Sequence, residues 1–307
     1  MSVRVDINLT KEAMRRALEL MEGRGHETLD ALVEDLIVGR TAPADRRPDI
    51  GGGFRYTTKP ELVQAAPSPR GTLLFLTNRL SPIKVAARVL ASFTTGGSWP
   101  TVDEFQKRAG LVAREVGFRL REEDRVALNG GLRRWIGYPI GEDAEGSLRR
   151  FVFSFAIELG QGGPSGPMWM LGLANLLAGN RVALTDAGWR LACAHSPVLD
   201  GGEGTVSDAE AAIFREQLPL LRDELAASVE FLELVRRSGG AQSRLDGLLS
   251  ARHADWTGNR VIAERGALLG RLGELGLLAI EGRGKGARIE VTALGRRFEP
   301  QAPNERE

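Results

Sequence analysis

A single cysteine, Cys193, stands in 307 residues, and its isolation removes two architectures at once. No intrachain disulfide can form, and no cysteine-rich zinc site can be built. Histidine is nearly as scarce: His26, His195 and His253 are the only three. None has a second histidine or a cysteine at metal-ligand spacing, so no metal is expected. No apolar run approaches the roughly 20 residues that span a bilayer. The opening Met-Ser-Val-Arg-Val-Asp is not a basic leader followed by an apolar core, and a cytoplasmic protein without a membrane partner is expected. Net charge is also missing, with 41 basic against 40 acidic residues. A large nonspecific field for nucleic acid is therefore excluded, and any basic surface must be local.

Catalytic constellations are absent in the same way. Pro48-Asp49 could begin a metal-nuclease core, but no lysine in the chain has an acid two positions before it. Ser165, in Gly163-Pro-Ser-Gly, lacks the strand-to-helix setting of a nucleophile elbow. Gly282-x-Gly-x-Gly286 lies between two predicted strands, whereas phosphate-binding glycine loops open a helix, so a hairpin is the reading. The chain is expected to be no enzyme and to need no cofactor.

What is present begins with composition. Apolar residues at 42% and charged residues at 26% are ordinary for a globular protein, and the length allows two or three domains. A repeat then organises the second half. Arg181-Val-Ala-Leu-Thr-Asp-Ala-Gly-Trp-Arg190 recurs as Arg288-Ile-Glu-Val-Thr-Ala-Leu-Gly-Arg-Arg297, each after a leucine-rich stretch, Met170-Leu-Gly-Leu and Leu272-Gly-Glu-Leu-Gly-Leu. The shared plan is helix, strand, turn, strand, helix, and it resembles the winged helix of DNA-binding regulators.

At the amino terminus Val3, Val5, Ile7 and Leu9 alternate with Arg4, Asp6 and Asn8, the period of a strand with one apolar face. Two helices follow, about Lys11 to Glu22 and Thr28 to Val38, the second with a broad apolar stripe. One strand and two helices in about 40 residues bury too little alone, so a homodimer is predicted. This pattern looks like the ribbon-helix-helix family, and that resemblance implies base reading by Arg4, Asp6 and Asn8 in the major groove. Eight acids against six bases through Arg40, a charge of −2, keep open a ribbon that only dimerises or holds a partner.

Residues 41–70, rich in proline, glycine and charge, read as a linker, and Gly71 to Thr77 as a short strand. Residues 71–198 read as an elaborated winged-helix-like domain, one or more. Its helix from Ser81 is followed by a capping box, Thr101-Val-Asp-Glu104. A helix from about Arg119 to Trp135, with Arg121, Arg125, Arg133 and Arg134, is the candidate recognition helix. Ile136–Ile140 and Phe151–Ile157 are its predicted strands, joined by an acidic wing tip over 141–146. An acidic tip suits protein better than phosphate. A linker over 199–206 leads to a helical segment opened by a second capping box, Ser207 to Glu210, and to a carboxy-terminal winged helix ending near 300. Residues 301–307 are a tail.

In that last module Gln242–Ser250 and Gly258–Leu272 are helices, and Leu277–Ile280 and Arg288–Val291 are wing strands. Residues 241–297 hold ten bases and six acids, a charge of +4. On the second helix Val261, Ile262, Leu268, Leu269 and Leu272 share an apolar arc, with Asn259, Arg260 and Arg271 outside it and Arg265 within it. Arg283 and Lys285 alternate with glycines at the wing tip, where backbone can approach phosphate. The expected fold is mainly α with small β-wings, α+β. The DNA-binding residues expected are Arg4, Asn8, Asn259, Arg260, Arg271, Arg283, Lys285 and Arg288. The function these imply is a sequence-specific, dimeric transcriptional regulator. The rivals are an adaptor subunit of a nucleoprotein or defence complex that docks other proteins, and a plasmid replication initiator.

Overall fold

The computed structural model describes residues 60–65, 71–73, 76–93, 99–126, 133–160, 163–282 and 287–298. The expected ribbon-helix-helix unit with Arg4, Asp6 and Asn8 lies outside them, as do Arg283, Lys285 and the tail. What is described is mainly helical with three small antiparallel strand pairs. Among these residues no helix is long and apolar enough to cross a membrane.

Helix α1, Ser81–Ser92, starts on Pro82, and all twelve of its residues are buried, Lys84 and Arg88 included. Buried cations need partners. Lys84 donates to the carbonyls of Leu191 and Ala194 and lies 3.5 Å from Glu210, while Arg88 grips Asp200 with two nitrogens. Helix α2, Val102–Val126, opens on the expected box: the Thr101 amide donates to Glu104 and the Glu104 amide to the Thr101 hydroxyl. Phe105, Ala109, Val112, Val116 and Leu120 form its buried stripe. The break predicted near Arg119 does not occur. Gly117 lies inside α2, where a Cβ would stand 2.5 Å from that of Tyr138, so this glycine serves packing rather than helix termination.

The two strands predicted next are also corrected. Residues 134–137 turn and 138–140 are irregular, and Phe151 to Phe155 belong to helix α3, Ala144–Phe155. The aromatic run reads as a strand, but Ser147, Phe151, Ser154 and Phe155 share one buried helical face while Phe153 is exposed. The acidic stretch 141–146 is consequently a helix start and no wing tip: the Asp143 carboxylate accepts from the Gly146 amide at 3.0 Å, and Glu145 sits in the first turn.

A hairpin of β1, Glu158–Gly160, and β2, Gly163–Ser165, precedes the four-residue helix α4, Pro167–Met170. Strand β3, Ala174–Leu177, then pairs with β4, Arg181–Leu184, across an uncharged Ala-Gly-Asn turn. Thr101 bridges Arg181 on the far side of β4, and Val63 runs parallel to Thr185. The described part of the expected 41–70 linker is thus docked on this sheet. Helices α5, Asp186–Cys193, and α6, Pro197–Asp200, complete this half.

The second half opens on the capping box of Ser207 and Glu210. Helix α7, Asp208–Gln217, leads through a 3-10 turn to α8, Arg222–Ser238, and on to α9, Gln242–Arg252, and α10, Gly258–Glu274. Strands β5, Leu278–Glu281, and β6, Arg288–Val291, pair antiparallel before the short α11, Ala293–Arg297. Ala241, ahead of α9, bridges Arg288 as Thr101 bridges Arg181.

The repeat in sequence is a repeat in hydrogen bonding. Leu173 and Leu277 donate back to Met168 and Leu272 across Gly172 and Gly276, whose φ values of +61° and +71° belong to glycine. Thr185 and Thr292 each accept from the amide three residues on, at Gly188 and Gly295, and each donates its hydroxyl to Gly172 or Gly276. A Cβ on Gly188 would meet the Leu173 carbonyl at 1.8 Å, and one on Gly295 the Leu277 carbonyl at 2.2 Å. The threonine caps the helix while the glycine lets that helix lie against the preceding turn.

One core cluster runs from Leu73 to Val291 through both halves. Buried charges fasten them. Arg271 pairs with Glu224 at 2.8 Å and donates to the Thr77 carbonyl at 2.7 Å, and the Leu80 amide donates to Glu274. Residues 199–206, expected as a linker, hold Asp200 on Arg88 and bury Thr205.

Candidate nucleic-acid interface

Thr257 positions the start of α10: its side chain accepts from the Arg260 amide at 3.3 Å. The first turn beyond it, Gly258, Asn259 and Arg260, is exposed. From there the wheel gives one open face, Asn259, Ile262 and Gly266, opposite the buried Val261, Leu268 and Leu272. Ile262 is 55% exposed, so its place on the apolar arc is corrected by about one helical position. Asn259 and Ile262 are what this face offers a base edge, an amide that suits adenine and an apolar branch that suits the thymine methyl.

Arg260 is held sideways. Its guanidinium lies 4.8 Å over the Trp256 ring and 3.9 Å from Glu264, and Trp256 in turn stacks on His253 at 3.9 Å with an interplanar angle of 8°. Arg265, the cation within the apolar arc, reaches across to Asp246 of α9. Arg288 opens β6 beside the Ala241 bridge, and its exposed side chain lies 2.8 Å from Glu290 on the same strand.

Arg271 is corrected outright. It is 3% exposed, and burial raises the carboxyl of its partner Glu224 while Arg271 opposes that rise. No group so enclosed can meet DNA while the fold persists. The sequence signal missed was three-dimensional: Glu224, Thr77 and Arg271 are far apart along the chain. Of the eight expected residues, Asn259 and Arg260 share a helical turn, Arg288 is exposed on another element, Arg271 is internal, and the other four lie outside the described residues.

Among the described residues the first half offers no equivalent of α10. The element before β3 is α4, whose Pro167 and Met168 are buried. Instead α2 exposes Leu111, Phe118 and Val126 along one side, at 52%, 44% and 66%. No protein-family model, curated protein or solved structure matches this chain.

Proposed function

We propose that the chain is a sequence-specific DNA-binding protein, a dimeric transcriptional regulator whose carboxy-terminal half works as a winged helix. One observation carries this reading. From α8 onward the second half runs helix, bridge, helix, helix, strand, strand, the order of a winged helix, and α10 turns an exposed Asn259 and Ile262 outward from a capped amino-terminal end. In this reading α10 lies in the major groove, Arg288 and the wing residues Arg283 and Lys285 hold phosphates, and the amino-terminal unit with Arg4 and Asn8 joins two copies. Two weak sites held together bind by avidity, which suits a chain without high net charge.

The test is binding of the full-length protein to fragments of neighbouring genomic DNA over a salt series. One preferred fragment is expected, Asn259→Ala should change sequence preference by about 1–3 kcal/mol, and Arg288→Ala should lower the salt slope by about 1. Weak, fragment-independent binding would overturn the proposal.

A second reading, an adaptor that docks protein, is favoured by the exposed Leu111, Phe118 and Val126 of α2 and by the shortness of α4. The acidic stretch at 141–146 no longer supports it. Co-purification of a partner that Phe118→Asp abolishes would favour it.

A further inference from the structure

We propose that the cleft between α8, α9 and α10 is a binding site for a small organic ammonium ion with an apolar body, which takes the place of the Arg260 guanidinium on the Trp256 ring. The cleft encloses about 220 Å³. That space accepts the body of a compact amine. Its walls are apolar, with Phe231, Leu234, Leu249 and Leu268, and its rim is the His253–Trp256 stack.

The charges select the sign of the ligand. Glu224 at the floor is engaged by Arg271 at 2.8 Å and by the Leu73 amide at 2.9 Å. Glu230 lines the same space but is paired with Arg252, which leaves Glu264 as the carboxylate beside the ring that a cation would gain and an anion would meet. A cation already occupies the aromatic face, and it comes from the protein itself. Arg260 is held there lightly: its side chain is 54% exposed, and 3.9 Å from Glu264 is beyond hydrogen-bond range. A ligand ammonium would gain the same ring face and the same carboxylate, and would bury a larger apolar body than the short stem of Arg260 against the apolar walls.

The exchange has a consequence that rests on the DNA reading. Arg260 adjoins Asn259 in the exposed first turn of α10, so a displaced guanidinium becomes available to phosphate, and the ligand should tighten DNA binding.

Calorimetric titration of the full-length protein with phenethylamine, benzylamine and isopentylamine tests the site without DNA, with 2-phenylethanol and phenylacetate as neutral and anionic counterparts. Saturable amine binding is expected, about tenfold tighter than either counterpart, with a loss of about tenfold in Glu264→Gln. Arg260→Ala should bind the amines about three- to tenfold more tightly, because the internal competitor is gone. A merely structural Arg260 would not give that gain. No saturable heat with any of the three amines, equal binding of the alcohol, or weaker binding by a folded Arg260→Ala would overturn the proposal. If amines bind as expected and DNA is bound in no state, the DNA reading alone fails; if DNA binding is intact and no amine binds, the site alone fails.

Discussion

Replacing Arg271 by leucine should damage the fold and leave the exposed face of α10 alone. The substitution removes the 2.8 Å pair with Glu224 and the 2.7 Å bond to the Thr77 carbonyl, leaving a carboxylate that is 2% exposed. Breaking a buried pair from one side costs about 3–5 kcal/mol, a large share of the roughly 5–15 kcal/mol that holds a domain. With about 2–4 °C lost per kcal/mol at this size, the melting temperature should fall by roughly 6–20 °C. Removing both charges in Arg271→Leu with Glu224→Leu should cost less than the single change, because no buried charge is left unpaired and what remains are two unsatisfied neutral groups, the Leu73 amide and the Thr77 carbonyl. The single variant should also recover as the pH falls. Burial already holds the Glu224 carboxyl above its ordinary range, so the folded state keeps a proton that the unfolded chain releases, and stability declines as pH rises through that interval. Urea unfolding followed by circular dichroism at pH 5 and pH 8 reads all three effects, and a DNA titration at low temperature reads function in the folded fraction. An Arg271→Leu protein of unchanged stability that has lost DNA affinity would refute the argument.

Further outcomes follow from other buried groups. Burial pushes the Lys84 ammonium down to about 8 from 10.5. The unfolded chain therefore holds that proton longer, and stability should rise by about 2–3 kcal/mol between pH 8 and 10. Lys84→Met should flatten that rise in urea-midpoint measurements; an unchanged slope would count against it. The scan should stop at pH 10, since burial raises the Tyr138 hydroxyl above its ordinary value and pulls the other way beyond it. Gly295→Ala forces a Cβ against the Leu277 carbonyl at 2.2 Å and should destabilise by about 1–3 kcal/mol or more, as should Gly188→Ala against Leu173. A thermal scan showing either variant as stable as the parent would remove the close approach from the account. Thr185→Val should cost about 1–2 kcal/mol through loss of the cap, with helix loss confined to α5 in hydrogen exchange.

Much of the carboxy-terminal half was legible because its signals are local. Thr257, Thr292 and the Ser207–Glu210 box state where helices begin, and Gly276 states where α10 ends; each acts within about one turn of chain, so sequence carries it fully. The repeated Thr-x-x-Gly is legible for the same reason. Local pattern misled at Phe151–Ile157, where an aromatic run satisfies both a strand's alternation and a helix's four-residue spacing, and packing on α1 and α2 chose the helix. Arg271 was decided entirely by tertiary structure. Its position on the wheel and its charge both point outward, and only a carboxylate 47 residues earlier, Glu224, and a carbonyl 194 residues earlier, Thr77, make its burial tolerable. The same holds for the cleft, whose walls come from three helices and from Thr72 and Leu73 far earlier in the chain, and whose cation is the protein's own Arg260 lying across Trp256. Caps, turns and amphipathic stripes are set by neighbours in the chain, whereas the pairing of buried charges depends on which distant segments meet.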